Sequence, residues 1–160
     1  MKLVVLADTH IPDRYADIPA SLVKELKKAD WIVHAGDFTS LEYYHKIKTI
    51  KPMKAVLGNL DAPELGKILK TKEIFAFQKF KIGLIHGFGM AEKILENVKK
   101  SFDDTYDLVI FGHSHNPYNE KIGKTLFFNP GSPTDKIFAV YNSYGIIEIN
   151  DTIETKIIKL

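Results

Sequence analysis

The chain contains no cysteine and only one arginine. Arg14 stands among 21 lysines in a sequence of 160 residues. Without cysteine, neither a disulfide nor a thiolate metal site can form. The apolar run at residues 3–7 ends at Asp8, which makes it too short for a signal-peptide core or a membrane span. We therefore expect a cytoplasmic protein with no membrane partner.

The charges are nearly balanced, with a net charge of +2 at pH 7. The lysines are scattered and form no block that could follow a nucleic-acid backbone. We therefore expect no nucleic-acid partner, whereas a small phosphorylated ligand remains compatible with the composition. The length and the 45% hydrophobic content predict one domain over residues 1–160 with a sizeable core. Homo-oligomer formation stays open, because Phe75, Phe77 and Phe80 could form an interface; a core role is the simpler interpretation.

The order of apolar segments predicts a mixed α/β domain. Buried strands are expected at residues 2–7, 31–35, 53–57 and 108–112, and helices at residues 18–28, 40–50, 63–69 and 90–101. A hairpin at 73–78 and 81–86 precedes further strands at 118–122, 125–129, 137–141, 145–149 and 155–158. The pattern predicts two packed sheets with helices outside them.

Five short polar motifs follow predicted strands. Ligands of open α/β sheets bind outside the carboxyl ends of the strands, so these side chains are expected to converge. The candidate ligands among them are two Asp, one Asn and four His, a set that suits Mn, Fe, Zn or Ni better than Ca or Mg. The sequence therefore predicts a two-metal hydrolytic site. The motifs are Asp8-Thr9-His10, Gly36-Asp37, Gly58-Asn59-Leu60-Asp61, His86-Gly87 and Gly112-His113-Ser114-His115.

The order of these motifs resembles that of the calcineurin-like metallophosphoesterase superfamily. The resemblance covers residue 3 to about residue 149, and the motif set is specific in combination. The opening 8–12 and the late Asn129-Pro130-Gly131-Ser132 resemble its small YfcE-like phosphodiesterase branch. The resemblance implies an α/β fold of four layers, an αββα sandwich with two mixed β-sheets.

The resemblance also implies a dinuclear site and an activity. The ions would be manganese, nickel, iron or zinc, and a hydroxide bridging them would attack a small soluble phosphodiester, because metal coordination lowers the pKa of water toward about 7. Asp37 would bridge the ions. The implied ligands are Asp8, His10, Asp37 and His115 for one ion, and Asp37, Asn59, His86 and His113 for the other.

Two residues beside the implied ligands are candidates for catalytic roles. Many relatives have His after the metal-binding Asn, but Leu60 stands here and has no proton to donate. Asp61 is the nearest candidate general acid, although an Asp in such a turn is equally a structural cap. Arg14 could grip phosphate bidentately; the alternative is a surface salt bridge with Asp13 or Asp17.

The remaining polar residues and the function also leave alternatives. His34 is expected to be packed or to orient a metal ligand, and Ser132 either contacts the phosphate region or forms a turn. The leading function is a metal-dependent phosphodiesterase. A phosphomonoesterase would use the same two-ion chemistry. A non-catalytic scaffold for protein interaction is the third alternative, because a retromer subunit is similar in fold.

Overall fold

The computed structural model describes residues 1–160 and contains two five-stranded sheets. Their strand orders are β10-β9-β1-β2-β3 and β4-β5-β6-β8-β7. The strands are β1 Lys2–Leu6, β2 Trp31–His34, β3 Met53–Ala55, β4 Lys72–Phe77, β5 Phe80–Ile85, β6 Leu108–Ile110, β7 Pro117–Ile122, β8 Thr125–Pro130, β9 Ser143–Ile149 and β10 Ile153–Lys159. The helices are α1 Ala20–Lys28, α2 Leu41–Lys48 and α3 Ile94–Lys100, with single 3₁₀ turns at Leu65–Lys67 and Ala91–Lys93.

Three apolar cores separate the layers of the molecule. Successive side chains of β1 point to opposite faces of its sheet, so Val4 packs in one core with Leu22 of α1. Val5 lies in a second core between the sheets, with Ile110 and Phe128. A third core joins the outer face of the second sheet to α3. These cores define the predicted four-layer αββα sandwich, and its mixed sheets confirm the predicted fold class.

The parallel strands of each sheet bring the motif loops together. In the first sheet β1 pairs in parallel with β2, and β2 with β3. In the second sheet β5, β6 and β8 are parallel to one another. Backbone hydrogen bonds also join the chain just beyond the strands; for example, Asp8 N donates to Gly36 O at 3.0 Å. The loops after β1, β2, β3, β5 and β6 therefore meet at one end of the sandwich.

The predicted strand at residues 137–141 is wrong. The backbone N–H groups of Ile137, Phe138 and Ala139 all donate to the carboxylate of Asp135, at 2.9–3.1 Å. A side chain thus takes the donors that a sheet ladder would need. Ile137 and Phe138 are 74% and 61% exposed, so these apolar residues do not form a buried face of a sheet.

Smaller differences affect the helices. The predicted helix at 63–69 is only the 3₁₀ turn, and the one at 90–101 is a 3₁₀ turn followed by α3. Phe75, Phe77 and Phe80 pack against the core between the sheets, as the core interpretation predicted. None of the helices combines the length and the apolar character that crossing a bilayer requires.

The contact between the sheets depends on Gly145 of β9. A Cβ atom there would lie 2.4 Å from Cε1 of Phe128 in the opposite sheet. We expect Gly145→Ala to lower the free energy of unfolding by about 2 kcal/mol through overpacking, as measured by denaturant titration. Gly66→Ala is the control, because its Cβ would meet nothing closer than 3.8 Å. Equal stabilities of the two variants would contradict this packing.

Candidate metal centre

The structure brings the seven predicted ligands together at one end of the sandwich. They extend from the loops that follow three parallel strands of the first sheet and two parallel strands of the second. Five of them are at most 8% exposed, whereas Asn59 is exposed and His113 is partly buried. The ligands are Asp8 and His10 after β1, Asp37 after β2, Asn59 after β3, His86 after β5, and His113 and His115 after β6.

The ligand atoms form two groups that share Asp8. One group is Asp8, His10 and His115, and the other is Asp8, Asp37 and His86, with the atoms of each group within 4.8 Å of one another. Asp37 Oδ2 also lies between them, 3.7 Å from His10 Nε2 and 3.5 Å from His86 Nε2. The resemblance implied Asp37 alone as the bridge, whereas in the structure both carboxylates lie between the groups.

Asn59 and His113 extend the second group. Asn59 Oδ1 is 3.0 Å from His86 Nε2, and His113 Nδ1 is 3.2 Å from the same atom. The other ring nitrogen of His113 is 3.1 Å from Gly89 O, to which it can donate. That bond fixes the ring so that Nδ1 faces the group. Asn59 and His113 thus place two further donor atoms beside His86 Nε2.

One buried carboxylate oxygen of the centre has no protein partner, which fits a bound cation. Asp8 Oδ2 is buried without a hydrogen bond, an arrangement that costs about 1–3 kcal/mol. His86 Nδ1 donates to Ala35 O at 2.7 Å, so its Nε2 lone pair faces the centre. Carboxylate oxygens with imidazole nitrogens are the donors that divalent transition metals prefer. The residues present therefore fit such ions.

Five of the seven side chains project from left-handed backbone. This conformation is rare for residues other than glycine and costs about 1–2 kcal/mol. Such residues cluster at functional sites when the surrounding structure holds them. Here the neighbouring loops do so, since His10 N donates to Asp37 O at 3.0 Å. The residues are Asp8, His10, Asp37, His113 and His115, with φ of 53°, 47°, 60°, 69° and 58°.

Burial and neighbouring charges shift the pKa values in the centre. Burial raises the pKa of Asp8 to about 6 and lowers the pKa of His10 to about 4. Burial also disfavours a charged His86, but Asp37 and Asp8 outweigh it and raise the pKa of His86 to about 9. The His86 contact in turn overcomes burial and lowers the pKa of Asp37 to about 2. The raised pKa of His86 shows that its position favours a positive charge.

The sequence comparison identifies the family. Residues 1–152 match the model of the calcineurin-like phosphoesterase superfamily domain. The chain belongs to this superfamily. A probable metallophosphoesterase of Methanothermobacter thermautotrophicus is 33% identical over 135 residues, covering 84% of this chain and 78% of the relative.

Solved structures agree with this fold. A structure described as a novel archaeal phosphodiesterase has a TM-score of 0.81 and 24% identity, with both chains covered completely. Vps29 from Entamoeba histolytica, solved in complex with zinc, has a TM-score of 0.75 and 24% identity over 99% of each chain. At these identities the likeness establishes the fold of the phosphoesterase domain. Membership in the superfamily implies divalent metal ions, for which the two groups are the candidate ligands.

Asp61 connects two of the ligand loops of this phosphoesterase domain. Its Oδ2 accepts hydrogen bonds from Asp37 N at 3.1 Å and Gly58 N at 2.7 Å, and its Oδ1 accepts one from Thr39 N at 2.8 Å. Burial raises its pKa, while these backbone donors act in the opposite direction. The geometry corresponds to the structural-cap alternative for Asp61, because all three bonds hold loop backbone.

Asp135 is a site residue that the sequence analysis missed. Its carboxylate hydrogen-bonds His115 Nδ1, which leaves Nε2 of that ring facing the centre. It also accepts from Tyr15 OH at 2.9 Å. Carboxylates bound to the outer nitrogen of a ligand His commonly orient the ring. The only signal was an Asp shortly after Ser132, in a polar turn.

Ser132 Oγ donates to Asp8 O at 2.7 Å, which supports the turn alternative for Ser132.

His34 supports the turn that carries Asp37. It is fully buried, its Nδ1 accepts from Gly36 N at 3.2 Å, and its Nε2 lies 3.2 Å from Thr9 Oγ1. Its ring stacks on Phe38 with centroids 3.5 Å apart. These contacts correspond to the packed alternative for His34. They also hold the loop that carries Asp37 in place.

Arg14 lies at the mouth of the centre. It is exposed, and its side chain lines a cavity of about 310 Å³ together with Asn59 and His113. The backbone N of Arg14 donates to His10 O at 3.0 Å, which places it one turn beyond that ligand. Asp17, an alternative salt-bridge partner, pairs with Lys46 instead.

The contacts of Asp61 predict a loss of stability on its removal. We expect Asp61→Ala to lower the free energy of unfolding by about 3 kcal/mol, because three loop N–H groups lose their acceptor. Asp61→Asn keeps one acceptor oxygen and should lose less. Denaturant titration measures both. An Asp61→Ala variant as stable as the wild type would contradict the capping role.

The buried His34 predicts a pH-dependent difference in stability. Burial lowers its pKa well below the ordinary value, so the neutral ring stabilises the fold fully above about pH 6.5 and progressively less as the pH falls. We expect His34→Gln to destabilise the chelator-treated protein at pH 7.5, and the difference from wild type to shrink by about 1 kcal/mol at pH 5.5. Denaturant titration at both pH values checks this; a constant difference would contradict a neutral His34.

Proposed function

We propose that this superfamily member is a metal-dependent phosphodiesterase that hydrolyses a small phosphoester with two divalent ions. The observation that carries the proposal is the buried pair of ligand groups in which Asp8 Oδ2 has no protein partner. Family membership supports a phosphoester hydrolase. The specificity for diesters is supported by the structural neighbour described as an archaeal phosphodiesterase.

The proposed ligand set divides between the two groups. Divalent ions bound there would offset charge on the phosphoryl oxygens and activate a water molecule for attack. Asp8 and Asp37 would serve both ions, because each carboxylate lies near ligands of both groups. The other proposed ligands are His10 and His115 for one ion, and Asn59, His86 and His113 for the other.

The residues around the centre divide into binding and positioning roles. Arg14 is proposed to bind a phosphoryl oxygen, because its exposed guanidinium lines the cavity over Asn59 and His113 and can donate bidentately. Asp61 is proposed to be a positioning residue, since its carboxylate is already bonded to three loop N–H groups. Leu60 is 44% exposed beside the cavity and has no proton to give.

Metal reconstitution tests this function directly. Chelator-stripped protein is supplied with Mn, Ni, Zn or Mg in turn and assayed on bis(p-nitrophenyl) phosphate and p-nitrophenyl phosphate. We expect metal-restored turnover of the diester to exceed that of the monoester, and Asp37→Asn to lose it by at least about a hundredfold. Preference for the monoester would favour a phosphomonoesterase. Metal binding without any turnover would favour a scaffold role, as the similarity to Vps29 suggests.

The absence of a proton donor predicts dependence on the leaving group. Without a protein acid, an alcohol of high pKa leaves slowly, and general acid catalysis is worth about 10²–10⁴-fold. We expect aryl phosphodiesters to be hydrolysed at least about a hundredfold faster than alkyl ones, with the same slope against leaving-group pKa in Asp61→Asn. Comparable rates on both substrate types would contradict this prediction.

The bond between Asp135 and His115 predicts an effect on metal affinity. We expect Asp135→Asn to weaken Mn²⁺ binding by about 10–100-fold, since the ring loses its ionic partner. Calorimetric titration of the stripped protein measures the affinity. Asp13→Asn is the matched control, because Asp13 is exposed and belongs to neither ligand group. Equal Mn²⁺ affinities of the two variants would show that Asp135 does not position His115.

A further inference from the structure

Two cavities meet at Asn59: one lies over the proposed metal centre, with Asp37, His113 and His115 in its wall, and the other is lined by His86 and Phe88. We propose that they receive the two organic arms of a phosphodiester, and that the cavity bounded by Phe88 takes an apolar, aromatic arm. This inference rests on the proposed phosphodiesterase function and names its class of substrate. A phosphoryl group bound at the centre would lie in the cavity over the metal ligands and next to the Phe88 cavity, because Asn59 lines both.

The apolar cavity lies where the edge strands β3 and β4 approach each other. It has a volume of about 440 Å³ and is lined by Leu57, Ile85, His86 and Phe88. An apolar cavity of about 150 Å³ is enough to bind benzene, so an aryl ring fits. Leu57 N donates to Lys70 O at 2.8 Å, which joins the Leu57 side of the wall to the segment before β4.

Phe88 is the exposed part of this wall. Its side chain is large, apolar and 51% exposed, so it is available to contact a ligand in the cavity that it lines. The preceding Gly87 has φ of +100°, and a Cβ there would lie 3.3 Å from Ile94 Cγ2. The loop therefore reaches from the ligand His86 to the cavity mouth over a short, sterically restricted path.

The second cavity has a different chemistry. Its volume is about 310 Å³, and its wall includes Arg14, Asn116 and Phe138. The loop that carries Phe138 is fixed by Asp135, to which Phe138 N donates at 3.1 Å. A cation and an amide accommodate a more polar arm, while the ring of Phe138 still accepts an aryl group. When only one arm is aromatic, we therefore expect that arm to enter the Phe88 cavity.

Substitutions in the two walls test the proposal. The Mn²⁺-loaded protein is assayed on bis(p-nitrophenyl) phosphate and methyl p-nitrophenyl phosphate. We expect Phe88→Ala to lower kcat/KM about tenfold on both substrates, because each places an aryl arm in its cavity. Phe138→Ala should lower kcat/KM by about fivefold on the bis-aryl substrate only. The losses should multiply in the double variant, because separate sites are additive in free energy.

A control variant and a binding measurement separate this proposal from the proposed function. Met90→Ala removes an exposed apolar side chain near Phe88 that lines neither cavity, and its kcat/KM should match the wild type. Binding of diphenyl phosphate, followed by calorimetry, should weaken about tenfold in Phe88→Ala. If the wild type turns over the substrates and Phe88→Ala matches it in both turnover and binding of diphenyl phosphate, the cavity assignment is overturned. Binding that depends on Phe88 without turnover by any ion would support it and overturn the phosphodiesterase.

Discussion

Two carboxylates, Asp8 and Asp37, are buried beside imidazole rings at the end of the sandwich. Burying charge is costly unless an opposite charge accompanies it. In the protein alone, the proton on His86 supplies part of that charge, which is why the pKa of His86 rises to about 9. It leaves Asp8 Oδ2 without a partner. A divalent cation bound among these groups would supply the missing positive charge and a partner for this oxygen.

The ligand loops are held by side chains that are not themselves ligands. Asp61 joins the loops after β2 and β3, His34 supports the turn before Asp37, and Asp135 fixes His115. These bonds explain how left-handed backbone persists at so many ligands, since strained conformations survive only where surrounding contacts determine them. A preformed centre of this kind loses little free energy to rearrangement when it binds its ions and substrate.

The convergence of the motif residues was predictable because parallel strands end at one edge of a sheet. Asp8 and His113 are 105 residues apart, yet the backbone N of His113 donates to Asp8 Oδ1 at 3.2 Å. The position of residues 137–141 was not predictable. Their continuous apolar run is typical of a buried strand, but the carboxylate of Asp135 binds their N–H groups. A side chain that competes for backbone donors leaves no period in the sequence, and for the same reason Asp135 was missed.

The most direct test of the central claim is anomalous diffraction from crystals grown with Mn²⁺. The account predicts two anomalous peaks, both beside Asp8 and Asp37, one of them next to His10 and His115 and the other next to Asn59, His86 and His113. Ion-to-ligand distances of about 2.0–2.3 Å would be expected at both. Strong peaks elsewhere on the molecule, with none at this end of the sandwich, would contradict it.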